Sequence, residues 1–336
     1  MSKLTGFQQG KTLIYMIEAP ADAALKTINS FLVHHAEGLY LIDAGMDNDA
    51  CWGAFNQAME QLDFSAADLS GIILTHHHPD HVGLVHRIRK LNPQVKVYAH
   101  PLAIPYITHD KEFLGNRIAF FEKLYSEMDG MPEAAEQLEK FRASFIKNEA
   151  FRIDGDIELI QEGDNLLNFK VIDVPGHAPD HILLYDSDGK WAVAGDLVIE
   201  HMSTNAIIEP DAGGRLIPTV TQQLASLERC LSLDVQLLLT GHGRVIHSPN
   251  PVIEDKISRI KHKLERIMNL IRAGCDTAGS MARLYYKDIY VNQFFLVMSE
   301  VIGLLDHLER TGYVVRRKSD GVYHYSLTRR GSNESI

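Results

Sequence analysis

The chain has 336 residues, of which 45% are hydrophobic and 23% charged, as is typical of folded globular proteins. This composition excludes collagen-like and disulfide-framework proteins, because only three cysteines occur and they are scattered along the chain. The net charge of −11 disfavours a general nucleic-acid surface, and no apolar run approaches the roughly 18 residues that span a bilayer.

The first hundred residues are predicted to alternate between strands and helices. Thr27–His34 and Leu39–Asp43 are apolar, β-branched runs joined by a short turn, which predicts a hairpin. Asp49–Leu62 has apolar residues at helical spacing. Gly71–Thr75 predicts a strand buried on both faces, and Val95–Tyr98 predicts the next one. The order of strand, helix and strand indicates a layered α/β fold.

The character of the sequence changes between residues 101 and 150, where aromatic and aliphatic residues recur with helical spacing. We interpret this segment as a helical insert that covers a pocket. A helical pair packed on the fold, or a contact between copies of the chain, is the alternative. Strands then resume and continue to residue 240; they are predicted at Ile157–Ile160, Phe169–Val174, Ile182–Tyr185, Trp191–Ala194 and Val235–Thr240.

The last part of the chain is predicted to form a separate module. Ile253–Ala273 and Asn292–Thr311 have helical periodicity, and a hairpin is predicted around Ser319-Asp320-Gly321. We therefore expect a domain over residues 1–250 and a winged-helix-like domain over residues 251–336. The second carries 14 Lys and Arg against 10 Asp and Glu, a net charge of +4, so the first has a net charge of −15.

Four side chains that commonly bind metals lie within six residues after the strand Gly71–Thr75. They are His76, His78, Asp80 and His81. Imidazole and carboxylate groups suit Zn²⁺, and also Fe²⁺ or Mn²⁺. A strand end fixes the backbone, while the loop that follows lets these side chains converge on one point.

Three more predicted strands end in glycine followed by one residue that can bind a metal. These residues are His177 after Gly176, Asp196 after Gly195, and His242 after Gly241. Glycine permits the tight turn that brings such a side chain inward. Because strand ends collect at one edge of a sheet, we expect a shared metal site there.

Four motifs in this order, THHHPDH, PGHAPDH, AGDLV and TGHG, resemble those of the metallo-β-lactamase-fold hydrolases over about residues 10–250. The resemblance implies an α/β protein with an αββα sandwich and two divalent metal ions at one edge. It implies His76, His78 and His177 at the first metal, Asp80, His81 and His242 at the second, and Asp196 bridging both. Zinc is the metal we favour, with iron or manganese as alternatives.

The same resemblance implies roles for residues around this set. Asp43 matches an acid that orients a ligand histidine, with a turn-forming aspartate as the alternative. His181 matches a supporting or pocket histidine, but Asp180 stands before it where the family usually has glycine. Asp80 and Asp196 are the candidate catalytic residues, and Asp80 could also handle a proton.

The resemblance implies hydrolysis by a metal-bridging hydroxide, with the substrate less closely defined. Asp196 disfavours a secreted β-lactamase, and His78 disfavours a diiron redox protein. Ile199 disfavours a lactonase, because members of that group have tyrosine at this position. We expect cleavage of an ester or thioester of a small, partly apolar substrate. A metal-dependent endoribonuclease or phosphodiesterase, suggested by the predicted C-terminal module, is the alternative; a ligand-sensing regulator is a third.

Further expectations concern partners and location. We expect a small-molecule substrate and no membrane association, with nucleic acid less favoured and a homo-oligomer left open. The first 20 residues lack the pattern of a secretory signal, so a cytoplasmic protein is expected.

Overall fold

The computed structural model describes residues 4–9, 12–131, 133–334 and 336. Its contacts divide the chain into two compact units. The first, here called the sheet unit, comprises the described residues up to His109 with 150–204 and 226–253; the second, the helical unit, comprises 110–149, 205–225 and 254–336. Within the described ranges, no helix is both long enough and apolar enough to cross a membrane.

A seven-stranded sheet forms the first half of the sheet unit, with its strands side by side in chain order. The first four strands are antiparallel, and pairing from the fourth strand onward is parallel. The strands are Leu4–Gln9, Thr12–Pro20, Thr27–His35, Gly38–Ile42, Leu69–Ile73, Lys96–Ala99 and Ile157–Leu159.

A six-stranded sheet forms the other half of the sheet unit. Its neighbours are antiparallel except Trp191–Val193 and Leu237–Leu239, which run parallel. The strands are, in chain order, Asn165–Leu166, Phe169–Asp173, Ile182–Asp186, Trp191–Val193, Leu237–Leu239 and Ile246–His247.

Two apolar cores give the sheet unit its layers. In one core, Ile14 and Ile73 of the seven-stranded sheet pack with Val171 and Leu184 of the six-stranded sheet, so the two sheets face each other. The other core contains the opposite side of the seven-stranded sheet and its helices. These helices and short 3₁₀ turns are Asp49–Gln61, Ala66–Asp68, Pro79–Val82, Val85–Leu91, Pro101–Ala103 and Ile104–Ile107. The prediction of an α/β fold is confirmed.

The helical unit is built around a third core, which includes Phe121, Tyr125, Phe294 and Met298. Its hairpin pairs Val314–Ser319 with Val322–Leu327. Its helices are Lys111–Glu127, Ala134–Asn148, Ala278–Tyr286, Asp288–Asn292, Phe294–Arg310 and Arg329–Asn333. Three of the boundaries between the units fall inside helical elements, which are Thr219–Leu231, Asn250–Arg272 and the 3₁₀ turn Glu149–Phe151.

This division differs from the predicted domains in two places. Residues 205–225 lie within the predicted first domain but group with the helical unit. The predicted insert 101–150 is also part of that first domain, whereas residues 110–149 group with residues 254–336. The reason is aromatic packing: Phe121 contacts Phe295, and Tyr125 contacts Phe294, with ring centroids 5.8 and 5.0 Å apart. The structure does contain helices followed by a hairpin near the end of the chain, but their description as a winged helix stays a prediction.

The helical unit provides a test of close backbone packing at Gly279. Its amide donates a hydrogen bond of 2.8 Å to the carbonyl of Met128, and a Cβ built on it would overlap the carbonyl oxygen of Asp129. We therefore expect Gly279→Ala to lower the free energy of unfolding by at least about 2 kcal/mol, because backbone cannot give way as a side-chain tip can. Urea unfolding followed by circular dichroism measures this change.

Gly115→Ala is the matched control. Gly115 lies in the helix Lys111–Glu127 of the same unit, and nothing lies within 4 Å of the Cβ it would gain. Alanine there should be neutral or stabilising by about 0.5–1 kcal/mol. Equal effects of the two substitutions would contradict the interpretation of Gly279.

Candidate metal centre

The candidate site lies in the sheet unit, at loops that follow one strand of the seven-stranded sheet and three strands of the six-stranded sheet. After the strand Leu69–Ile73, a loop carries His76 and His78, and a short helix, Pro79–Val82, begins with proline at its first position. Asp80 and His81 therefore project from a helical turn, and the preceding histidines from the loop before it. The loops after three strands of the six-stranded sheet supply the other predicted side chains.

Three imidazoles form the first cluster. Nδ1 of His78 lies 3.0 Å from Nε2 of His76 and 3.0 Å from Nε2 of His177. These three side chains offer nitrogen atoms that lie within 4.8 Å of one another, as ligands of one ion must. The cluster joins two loops that are 99 residues apart in the sequence.

A second cluster contains Asp80, His81 and His242, whose ligand atoms also lie within 4.8 Å of one another. Nε2 of His242 lies 3.2 Å from Oδ2 of Asp80, and Nε2 of His81 lies 3.9 Å from the same oxygen. His81 and His242 are completely buried, whereas the side chain of Asp80 is 18% exposed. Asp80 therefore lies on the side of the site that solvent reaches.

Asp196 lies between the two clusters. One carboxylate oxygen, Oδ1, is 3.4 Å from Nε2 of His81. The other, Oδ2, is 3.5 Å from Nε2 of His177 and 3.3 Å from Nε2 of His242. The carboxylate of Asp196 therefore reaches side chains of both clusters, and the bridging role that the resemblance implied stays a prediction.

The unpaired polar atoms of the site fit a metal. Within the described ranges, Nε2 of His81, Nε2 of His242 and Oδ1 of Asp196 are buried without a hydrogen-bond partner. Buried polar atoms are rarely left unsatisfied, and three of them turned toward one point are well suited to a cation. Nitrogen and carboxylate donors in this number suit zinc, iron or manganese better than calcium.

Burial controls the charge of the first cluster. Burial, reinforced by the neighbouring imidazoles, holds the pKa values of His76 and His78 well below the usual range. Both rings are therefore neutral at physiological pH, and each neutral ring keeps a lone pair. Neutral imidazole is the form that binds metals.

Carboxylates dominate the second cluster. Burial acts to lower the pKa of His242, but the carboxylates of Asp196 and Asp80, 3.3 and 3.2 Å from Nε2, outweigh it and raise the pKa to about 10. Burial acts to raise the pKa of Asp196, but His81 and His242 hold it well below the usual range. Asp196 is therefore a carboxylate at neutral pH. Its negative charge, which favours protonation of His81 and His242, would also stabilise a metal ion bound in place of those protons.

Hydrogen bonds behind the rings fix their orientation. Nδ1 of His81 donates to Oδ2 of Asp43 at 2.7 Å, and Asp43 also accepts from the amide and hydroxyl of Thr75, both at 2.8 Å. Nδ1 of His242 donates to the carbonyl of Thr27 at 2.8 Å. With Nδ1 used in this way, Nε2 of both rings is left to face the cluster. Asp43 thus contacts a candidate ligand, as the resemblance implied.

Sequence reasoning missed Asn29. Its side-chain amide donates to the carbonyls of Thr240 at 2.9 Å and Gly243 at 3.0 Å, and its backbone amide donates to the carbonyl of Gly241 at 2.8 Å. These bonds hold the loop that carries His242. The sequence contained one signal, since an asparagine within an apolar, β-branched strand needs buried partners.

His181 lies behind the site. Its Nε2 accepts a hydrogen bond of 3.2 Å from the amide of Asp196, and burial lowers its pKa to about 3. His181 therefore supports the bridging residue. Histidines elsewhere in the sheet unit have backbone partners; among them, His100 accepts from the amide two residues further on, and His201 donates to the carbonyl of Ala24.

Comparison with known proteins gives consistent results. The family model described as the metallo-beta-lactamase superfamily matches residues 24–242. The protein named "Probable metallo-hydrolase YqjP" from Bacillus subtilis is 31% identical over 302 residues, which are 88% of this chain and 92% of that protein. The "Beta-lactamase-like protein 2 homolog" of Drosophila melanogaster is 23% identical over 309 residues, 89% of this chain and 88% of that protein.

Two solved structures share the fold. A metallo-beta-lactamase family protein from Thermus thermophilus superposes with a TM-score of 0.74 at 22% identity, covering 94% of this chain and 98% of that one. A beta-lactamase domain protein from Burkholderia ambifaria gives a TM-score of 0.73 at 19% identity, covering 96% of this chain and 95% of that one. At these identities the structures establish the fold alone.

Proposed function

Because the chain belongs to the metallo-β-lactamase superfamily and is a metal-dependent hydrolase, we propose that it hydrolyses an ester or thioester of a small, partly apolar substrate at a dinuclear metal centre. The observation that carries this proposal is the carboxylate of Asp196, which reaches histidines of both ligand clusters. When bound, two divalent cations supply Lewis acidity and lower the pKa of water toward neutrality.

Different residues of the chain have different roles in this proposal. His76, His78 and His177 would hold one cation, and Asp80, His81 and His242 the other. Asp43 and the carbonyl of Thr27 fix the rings of the second set by accepting hydrogen bonds from Nδ1. Asp80, being partly exposed, is suited to hold or release a proton at Oδ2 during turnover. The substrate would approach from its side of the site.

The choice of a small substrate over RNA rests on charge. Residues 1–250 have a net charge of −15, which repels polyphosphate chains. In the hairpin of the helical unit, Arg316 pairs with Glu309 at 3.1 Å and Lys318 with Glu127 at 2.8 Å. These two cations therefore already have acidic partners. Ile199 is buried and has no hydroxyl group, so the feature associated with lactone hydrolysis is missing at that position.

Metal content is the first test. Protein prepared without a chelator should contain close to two metal ions per chain, because there are two clusters of candidate ligands and Asp196 reaches histidines of both. Elemental analysis by mass spectrometry measures both the number and the identity, with zinc expected. A tightly bound content of zero or one ion per chain would contradict the dinuclear centre.

The substrate class is tested by a panel. A thioester, an ester, a lactone, a phosphodiester and single-stranded RNA are compared under the same conditions, each against the Asp196→Asn variant as a blank. We expect turnover of the ester or thioester to be fastest. Cleavage of RNA alone, lost on charge reversal of Arg316 and Arg317, would replace this proposal with a ribonuclease.

A further inference from the structure

His77 stands between two candidate ligands and points away from them. Nδ1 of His78 faces Nε2 of His76 and Nε2 of His177, whereas Nδ1 of His77 faces a carboxylate outside the cluster. Nδ1 of His77 lies 2.6 Å from Oδ1 of Asp180, and its ring stacks on Tyr106 with centroids 3.7 Å apart and planes at 18°. Its other neighbour is the ring of His78, which it meets edge-on at 4.8 Å.

Asp180 lies on the second ligand loop, three residues after His177. Its side chain is fully buried, and that of His77 is only 8% exposed. A buried carboxylate is costly unless it is paired, and the imidazole of His77 provides the pairing. At this position the resembling family usually has glycine, which has no side chain to form such a contact.

The contact joins the two loops that form the first ligand cluster. His77 belongs to the loop with His76 and His78, and Asp180 to the loop with His177, which lies 99 residues further along the chain than His78. A metal site needs its ligands positioned within about 0.5 Å. A short hydrogen bond between loops, with one ring held against Tyr106, restricts the separation of the loops directly.

We propose that His77 and Asp180 form a clasp that positions the first ligand cluster and so sets its metal affinity. The clasp rests on the proposed function, because it requires the metal centre to exist. His77 and Asp180 are positioning residues, since they act through His78 and His177. The second ligand cluster is expected to be less sensitive to the clasp, because none of its three residues lies on the loop that carries His177 and Asp180.

The test measures zinc binding to metal-free protein by competition with a chromophoric chelator. Asp180→Ala and His77→Ala should each weaken one of the two binding equivalents by about 10–100-fold, as is typical when a group that orients a ligand is removed. The affected equivalent should be the one that His177→Ala abolishes. Asp180→Asn, which keeps an acceptor oxygen for His77, should restore most of the affinity.

The double variant separates a clasp from two independent effects. Because both side chains make the same contact, His77→Ala combined with Asp180→Ala should bind zinc about as weakly as either single variant. If the fold-loss of zinc affinity in the double variant equals the product of the losses in the two single variants, the proposal is overturned. If Asp180→Ala does not fold, Asp180→Gly and His77→Gln undergo the same measurement.

Asp186→Ala is the matched control. Asp186 is another buried aspartate of the sheet unit, and it accepts a hydrogen bond of 2.9 Å from Nε1 of Trp191. Its loss should lower the unfolding temperature and leave both zinc affinities unchanged. A similar loss of affinity in this control would show general destabilisation and overturn the clasp.

The two proposals can fail separately. If the unaltered protein binds no zinc, the proposed metal centre fails and the clasp with it. If the unaltered protein binds two zinc ions and the variants bind them equally well, only the clasp fails.

Discussion

Asp196→Asn is expected to abolish hydrolysis, lowering kcat/KM by at least about 10³-fold, equivalent to about 4 kcal/mol of transition-state stabilisation. The variant keeps the size of the side chain but loses the negative charge that faces His81, His177 and His242 at 3.3–3.5 Å. Without that charge, two cations so close together would repel each other more strongly. We therefore expect the metal content to fall as well.

The measurement is kcat/KM on the best substrate of the panel, together with metal content and the unfolding temperature. Asp186→Asn, an equally conservative change at a buried aspartate outside the ligand clusters, is the control and should retain activity. Undiminished turnover by Asp196→Asn would exclude the proposed bridging role.

Gly241→Ala is expected to disrupt the site through backbone geometry alone. A Cβ on Gly241 would overlap Oδ1 of Asp196 and lie 2.7 Å from Cε1 of His81. Both neighbours are candidate ligands that other contacts already fix, so neither can move aside without leaving its position. We expect a loss of kcat/KM of at least about 100-fold, in line with the cost of displacing reacting groups by about 1 Å.

The measurement again combines kcat/KM with zinc affinity. Gly53→Ala is the control, because Gly53 lies in the helix Asp49–Gln61 and nothing lies within 4 Å of its added Cβ. That variant should keep full activity and be no less stable. Full activity of Gly241→Ala would show that the loop can shift, and would contradict the close packing described for the site.

The candidate ligand set could be proposed from the sequence because its residues form local motifs. His76, His78, Asp80 and His81 lie within six residues, and the remaining ligands each follow a glycine at a strand end. Such a pattern needs no knowledge of distant contacts to be recognised. The bounds of the strand before these residues were less well predicted. The predicted strand Gly71–Thr75 is Leu69–Ile73 in the structure, and the hydroxyl of Thr75 donates a hydrogen bond to Asp43.

The residues that orient the ligands were harder to find, since their partners are distant in the sequence. Asn29 bonds to carbonyl groups more than 200 residues away, and His77 bonds to Asp180 across 103 residues. Neither residue type is unusual by itself. Only the folded chain shows which carbonyl or carboxylate each one meets.

By itself, the sequence determined the α/β class, the family and the type of chemistry, because periodicity and short motifs are encoded by neighbouring residues. The tertiary structure decided which unit the helical segment joins. The aromatic side chains of residues 110–149 could have packed against either part of the chain, and they pack with Phe294 and Phe295. The tertiary structure also brought Asp196 between two clusters. Long-range packing set both results, and amino-acid composition contains no information about it.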